Sequence, residues 1–175
     1  MDFNYQEALL LLEKQQKKNP EVIKHSLAVS DLAFKTAVRL KNNDPTLELN
    51  PDELRIIGLL HDIGKDVEER PHAIVSSELL AKKGLHRISE IVKTHGITKE
   101  ESELSKIPGN YYPTSLEEEL LIYADMHVMH DKVVPFEERY KDLLERAKDP
   151  LKHKALLLAH RRIQKIMEKI DAMLC

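Results

Sequence analysis

Helical periodicity along nearly the whole chain is the feature that most limits its fold. Apolar residues recur at intervals of three and four positions, and stretches rich in Pro, Gly, Asn or Asp interrupt them. In the second such segment, Val22, Val29 and Ala33 fall on one face of a helix. The pattern predicts helices over residues 5–18, 21–41, 52–64, 72–83, 86–95, 116–131, 136–147 and 150–174. No segment predicts a convincing strand, an internal repeat or a low-complexity linker.

Residues that favour helix ends agree with several of these boundaries. Gly84 follows the segment 72–83 and is typical of a left-handed C-terminal cap. Thr98 with Glu101, and Ser115 with Glu118, each fit a capping box, in which the hydroxyl and the carboxylate satisfy free backbone N–H groups. We therefore expect a helix to begin at each of these two pairs.

Composition favours a helical protein of ordinary globular character. Apolar residues make up 42% of the chain and charged residues 33%, while aromatic residues make up 5% and Trp is absent. A core of Leu, Ile, Val and Ala suits packed helices better than a sheet. A chain of 175 residues is long enough to bury a substantial core in one domain. The fold class predicted is all-α, a compact multi-helix bundle in a single domain over residues 1–175.

Charge and cysteine content restrict partners and compartment. The net charge of -3 lacks the basic footprint of a protein that grips duplex nucleic acid, and the run Lys14, Lys17 and Lys18 is typical of a solvated helix end. The only cysteine is Cys175, so no internal disulfide can form, as expected in a reducing cytoplasm. We find neither a signal peptide nor an apolar run of about 18 residues. The sequence predicts a cytoplasmic protein with no membrane partner.

The segment 59–65 carries the strongest chemical signal. A buried apolar helix is followed at once by His61, Asp62 and Lys65. Burying an ionised carboxylate is costly unless it is paired or bound to a metal, and imidazole and carboxylate are both good ligands for ions such as Zn, Fe or Mn. Gly64 permits close approach of backbone or substrate, and Lys65 offers a point charge for a phosphoryl oxygen. The alternative is that His61 and Asp62 form a surface pair at a helix end.

Two further polar residues lie in apolar helical surroundings. His25 has Ile23, Leu27 and Ala28 as neighbours, and Asp125 follows the apolar run 120–124. Taken alone, His25 could be a hydrogen-bonded core histidine, and Asp125 could lie on a helix surface, because Asp is a poor former of helix interiors.

Together these residues resemble a known family. The order of a His, then a His-Asp pair, then a distant Asp after an apolar helix resembles the HD superfamily of metal-dependent phosphohydrolases, and residues 61–64 match its HDIG variant letter for letter. The resemblance spans residues 25–132. It implies a helical fold in which a divalent metal is bound by His25, His61, Asp62 and Asp125.

The resemblance also implies a second ion. HDIG-type proteins often place extra histidine ligands downstream of the His-Asp pair, and His72 and His95 match those positions. Asp62 would then bridge the two ions. The alternative for His72 and for His95 is an exposed histidine at a helix end.

The chain departs from the fullest family pattern at two positions. Thr94 precedes His95 where some families have a second histidine, which disfavours a richer, three-metal site. Met126 follows Asp125 where many relatives have Lys, so Lys132 or Arg139 could supply the missing positive contact. His127 or His130 could support the site from a helix face near Asp125. The remaining histidines match no position of the family pattern, and they are His86, His153 and His160.

The resemblance implies hydrolysis of a phosphate ester, with a nucleotide as the expected substrate. The cofactor would be one or two divalent transition metal ions (Fe, Mn, Zn, Ni or Co) that activate water, with Asp62 and Lys65 as catalytic residues. Tyr111 and Tyr112 could stack on a base or could pack their loop onto the bundle. Two other hypotheses stay open: a metal-retaining regulatory module that binds a nucleotide with little turnover, and a purely structural helical adaptor. The last helix could join two copies as a homo-oligomer or could simply cover the core.

Overall fold

The computed structural model describes residues 3–175, which form helices and one short hairpin. The all-α prediction is confirmed. The elements are α1 (Tyr5–Gln15), α2 (Pro20–Asn43), α3 (Pro51–Leu60), α4 (His72–Lys82), α5 (His86–Val92), α6 (Thr98–Leu104), α7 (Leu116–Asp125), β1 (Val128–Met129), β2 (Lys132–Val133), α8 (Phe136–Arg146) and α9 (Pro150–Leu174).

The core forms around α2, which packs against α3, α7 and α9. Ala33 and Ala37 of α2 are fully buried, and their small side chains let the neighbouring helices approach closely. Ile57 of α3 and Leu121 of α7 are fully buried in the same apolar cluster, which extends from α1 to α9. The predicted single domain stays a prediction. None of the helices in residues 3–175 combines the length and the apolar character needed to cross a membrane.

Helix α9 has both a buried and an exposed apolar side. Ala155, Ile163 and Ile166 belong to the core, whereas Leu157 and Leu158 are more than half exposed. The helix therefore covers the core, and its role in a homo-oligomer stays a prediction.

Several helix ends follow the sequence signals. Asn50 caps α3 by accepting hydrogen bonds from the two backbone N–H groups that follow Pro51. The capping box of Ser115 and Glu118 is present at the start of α7. Gly84 adopts φ +78° after α4, as expected for a left-handed cap.

The predicted helix over residues 116–131 is wrong beyond Asp125. The chain leaves the helix there and forms a hairpin, in which Val128 pairs with Val133 and Met129 with Lys132 in antiparallel register. His130 takes a positive φ of 57° at the turn. The expectation of no strand is therefore wrong as well. Two-residue strands are too short to produce a detectable alternation of apolar and polar residues.

The capping box predicted for Thr98 and Glu101 is also wrong. The Thr98 hydroxyl donates to the His95 carbonyl oxygen at 2.8 Å instead of capping α6, and α6 has no side-chain cap. Glu101 is buried with 7% of its surface exposed. Thr98 and Glu101 have the spacing of a capping box, but the Thr98 hydroxyl is already occupied by a carbonyl oxygen of the tight turn before α6.

Helices α1, α3 and α5 end earlier than predicted, at Gln15, Leu60 and Val92. The first two ends are linked, because the Gln16 side chain donates to the carbonyl oxygens of Ile63 (2.8 Å) and Lys65 (3.0 Å). This amide satisfies two carbonyl oxygens of the turn that follows α3. The turn after α3 is thereby held in place.

Candidate metal centre

Four histidines and two carboxylates converge where the ends of several helices meet. We call these six residues the candidate metal centre. They are His25 from α2, His61 and Asp62 from the turn after α3, His72 from the start of α4, His95 from the turn after α5, and Asp125 from the end of α7. The structure thus brings together all six residues that the sequence predicts as metal ligands, and their role as ligands stays a prediction.

One half of the centre surrounds Asp125. The Oδ1 oxygen of this residue lies 3.1 Å from His25 Nε2 and 3.7 Å from His61 Nε2. The Oδ2 oxygen of Asp62 completes this half, 3.6 Å from His61 Nε2 and 4.0 Å from His25 Nε2. Two imidazole nitrogens and two carboxylate oxygens therefore lie close together in this half.

The other half of the centre surrounds the second carboxylate oxygen of Asp62. Its Oδ1 is 3.1 Å from His72 Nε2 and 3.6 Å from His95 Nε2. The two imidazole Nε2 atoms are themselves 3.1 Å apart. Asp62 thus places one carboxylate oxygen in each half, which is the arrangement that a bridging carboxylate requires.

Backbone carbonyls orient three of the four imidazoles. His61 Nδ1 donates to the Gly58 oxygen (2.7 Å), His95 Nδ1 to the Val92 oxygen (2.6 Å), and His25 Nδ1 to an oxygen in the hairpin turn (3.0 Å). A carbonyl oxygen can only accept, so each Nδ1 carries the hydrogen. When the ring is neutral, each Nε2 carries a lone pair directed into the centre, as in known metal-ligating histidines.

In the neutral rings this tautomer places acceptors against acceptors, so positive charge must lie between them, either a proton on an imidazole or a metal cation. The lone pair of His25 Nε2 faces Asp125 Oδ1 at 3.1 Å. Within residues 3–175, His61 Nε2 and Asp62 Oδ1 are buried and have no hydrogen-bond partner. Buried polar atoms without partners are costly, so the centre needs positive charge at these points. A donor set of imidazole and carboxylate fits one or two divalent transition ions.

Both carboxylates of the centre are held ionised. Burial opposes their charge, but Lys65, His61 and His72 outweigh it at Asp62, so the pKa of that carboxyl lies well below its usual range. Burial also opposes the charge of Asp125, and contacts with His25 and His61 outweigh it and keep the pKa of that carboxyl well below its usual range. These contacts need protonated imidazoles, and a bound metal ion would supply the same positive charge. Burial lowers the pKa of His72 to about 4 against the opposing effect of Asp62, although 27% of its side chain is exposed. His72 is therefore neutral at pH 7, the form that can bind a metal.

Close packing fixes the turn that carries His61 and Asp62. The Gly64 N–H donates to the Ser76 hydroxyl at 2.9 Å. A Cβ atom at Gly64 would lie 2.5 Å from the backbone nitrogen of Ser76, closer than any real contact. The close approach expected at Gly64 is present, and its partner is the backbone of α4.

Lys65, the predicted catalytic lysine, lies at the edge of the centre. Its Nζ donates to Asp62 Oδ2 at 2.7 Å, and its side chain is 35% exposed. Asp62 raises the pKa of Lys65 more than burial and the nearby Arg139 guanidinium lower it. Lys65 is therefore a protonated cation at neutral pH, in contact with the Asp62 carboxylate.

The other positions singled out in the sequence have different surroundings. Met126 is buried in the core, and Lys132 is exposed on β2. His127 packs on Tyr123 with the ring centres 4.3 Å apart and donates to its carbonyl oxygen. Tyr112 is 51% exposed and lines a groove beside α9.

Two residues support the centre through contacts that the sequence did not predict. His130 orients His25 through its backbone oxygen, and Gln16 holds the turn after α3. His130 does not lie on a helix face beside His127, because both follow the end of α7. A backbone carbonyl leaves no signal in residue identity, so only the hairpin geometry reveals the contact.

Residues 22–172 match the model of the HD domain family. Among curated proteins, an uncharacterised protein of Methanocaldococcus jannaschii is 34% identical over 148 residues, which cover 81% of this chain and 85% of that protein. A tRNA (cytidine(56)-2'-O)-methyltransferase of Picrophilus torridus is 30% identical over 172 residues, covering 93% of this chain and 45% of that protein. Ribonuclease Y of Clostridium botulinum is 41% identical over 107 residues, covering 59% of this chain and 17% of that protein. No solved structure matches the chain.

Proposed function

The chain belongs to the HD domain family, whose members are generally metal-dependent hydrolases, and we propose that it hydrolyses a phosphate ester. The observation that carries this proposal is that hydrogen-bond acceptors face each other in the candidate metal centre. In the neutral imidazole of His25, whose Nδ1 donates to a carbonyl, Nε2 carries a lone pair, and it lies 3.1 Å from Asp125 Oδ1. A divalent ion shared by the two atoms would remove this conflict.

We assign the six residues of the centre to two ions that share Asp62. The first set would be His25, His61, Asp62 and Asp125, and the second would be Asp62, His72 and His95. When bound, such ions lower the pKa of water toward neutrality and offset negative charge on phosphoryl oxygens. The metal is one that accepts imidazole and carboxylate together: Fe, Mn, Zn, Ni or Co.

The chain's own contribution to the reaction is positioning and charge. Asp62 holds both halves of the centre at a fixed separation through its two oxygens. Lys65 supplies a protonated ammonium next to Asp62 Oδ2. A substrate phosphoryl group that approaches Asp62 would meet this ammonium with a non-bridging oxygen. Such a preplaced cation stabilises charge that develops in the transition state.

We further propose that the substrate is a nucleotide, either a monoester or a diester. Two of the relatives are named for RNA, one as a ribonuclease and the other as a tRNA methyltransferase, which supports a nucleotide ligand. This chain spans less than half of each of those two proteins, so their activities do not transfer as a whole.

A substrate screen with metal-loaded protein tests the proposal. Nucleoside monophosphates, cyclic dinucleotides and dinucleoside polyphosphates are each incubated with the protein loaded with one of the five metals. We expect hydrolysis of at least one class, lost in His61→Ala and on treatment with a chelator. Tight nucleotide binding without turnover by fully loaded protein would contradict the proposal and favour the regulatory module. A protein indifferent to both metal and nucleotide would favour the helical adaptor.

A further inference from the structure

A recess of about 220 Å³ opens directly beside the candidate metal centre. His25 and Lys65 line one part of it, and Arg139 and Arg146 of α8 line another. We call this the basic recess. Two exposed carboxylates, Glu21 and Asp66, also border it, and Glu21 pairs with Lys24 at 2.9 Å.

Arg139 is the unusual member of the basic recess because it is buried. Only 6% of its surface is exposed, and its Nη1 donates to Asp142 at 2.9 Å. Its Nε is buried and has no hydrogen-bond partner among residues 3–175. The Asp142 carboxylate is shared, since its Oδ2 also lies 3.4 Å from Arg146 Nη1. One carboxylate between two guanidinium groups leaves positive charge uncompensated at this wall of the recess.

We propose that Arg139 binds the phosphoryl group that Lys65 contacts, from the other side of the basic recess. A planar guanidinium matches two phosphoryl oxygens at once, whereas an ammonium offers a single point charge. Sites for whole drug-sized ligands occupy roughly 300–1,000 Å³. The smaller recess therefore suits the phosphoryl group, and the rest of the substrate lies outside. This inference rests on the proposed hydrolysis of a phosphate ester.

A purely structural role is the competing explanation for Arg139. In that case the ion pair with Asp142 would stabilise α8, and the guanidinium would never contact a ligand. The two roles differ in one respect that can be measured. A structural pair affects stability when either partner is changed, whereas a ligand contact affects phosphate affinity only when the guanidinium is changed.

The test measures binding of inorganic phosphate by isothermal titration calorimetry to metal-loaded protein, with the metal content of each variant checked by mass spectrometry. We expect Arg139→Met to raise the Kd for phosphate about ten- to a hundredfold while the metal is retained. Arg139→Lys should give an intermediate value, and it serves as the test if Arg139→Met does not fold. Asp142→Asn, which keeps the guanidinium, and Arg161→Met, an exposed arginine on α9, should bind phosphate within about twofold of wild type.

Phosphate Kd values unchanged in both Arg139→Met and Arg139→Lys would overturn the role of Arg139. If the wild type also hydrolysed nucleotides, the proposed function would stand and only this inference would fail. Equal losses in Arg139→Met and Asp142→Asn would likewise overturn it in favour of the structural pair. Because binding is measured without turnover, a wild type that binds phosphate through Arg139 but hydrolyses no ester would instead count against the proposed function.

Discussion

Asp62 Oδ1 lies 3.1 Å from His72 Nε2, while the second oxygen of the same carboxylate faces the other half of the candidate metal centre. His72 contributes only to the half formed with His95. His72 can therefore be removed without taking a donor from the group around Asp125.

We expect His72→Ala to lower the bound metal by about one ion per chain and to leave the other ion in place. The reason is that the set around Asp125 loses no donor. Metal per chain is measured by inductively coupled plasma mass spectrometry, with His127→Ala as a matched control that removes a histidine outside the centre. An unchanged metal ratio in His72→Ala would remove the second ion from the account.

Lys65→Met should lower kcat/KM about a hundredfold at saturating metal, because the preplaced ammonium beside Asp62 is lost. Steady-state kinetics on whichever nucleotide the screen identifies, with metal content measured in parallel, checks this. Lys83→Met, at an exposed lysine after α4, is the control. If kcat/KM of Lys65→Met stayed within about twofold of wild type, Lys65 would have no part in catalysis.

Gly64→Ala should destabilise the fold by about 1–3 kcal/mol, because the new methyl group would collide with the backbone of Ser76. Urea denaturation gives the free energy of unfolding. Gly84→Ala makes a useful comparison, since nothing lies within 4 Å of its Cβ position and only its positive φ is strained. It should cost about 1 kcal/mol. Equal stability of Gly64→Ala and wild type would contradict the packing described around the turn.

Glu101→Gln should stabilise the metal-free protein at pH 7 and not at pH 4. Burial raises the pKa of Glu101 above its usual 4.5, so the folded protein holds the proton more tightly than the unfolded chain. Its contribution to stability is present below pH 4.5 and is lost as the pH rises through the folded pKa. The neutral amide avoids this loss, so the melting temperature at pH 7 should rise, with roughly 2–4 °C expected for each 1 kcal/mol gained.

Thermal unfolding in the presence of a chelator at both pH values measures this difference. Glu103→Gln, which removes an exposed carboxylate from the same helix, should show no comparable gain. A gain of equal size at pH 4 and pH 7 would show that ionisation of Glu101 is not its cause.

The helical class could be predicted because it rests on local periodicity, whereas the six residues of the candidate metal centre were predicted through the resemblance to the HD superfamily. Asp62 and Asp125 each follow an apolar helical run, and the structure shows that those runs end at one place. The hairpin was missed because its two-residue strands carry no periodicity. Glu101 was misassigned because spacing alone does not reveal whether a carboxylate reaches the helix start. Arg139 was named only as an alternative, since its burial depends on tertiary packing.

The most direct test of the central claim is the metal content of protein purified without a metal-affinity tag, compared between wild type and His61→Ala. His61 is fully buried and its Nε2 faces both carboxylates of the centre. We expect near-stoichiometric Fe, Mn, Zn, Ni or Co in the wild type and its loss in the variant. A wild type that carries no metal and takes up none on reconstitution would contradict the account of a metal-dependent hydrolase.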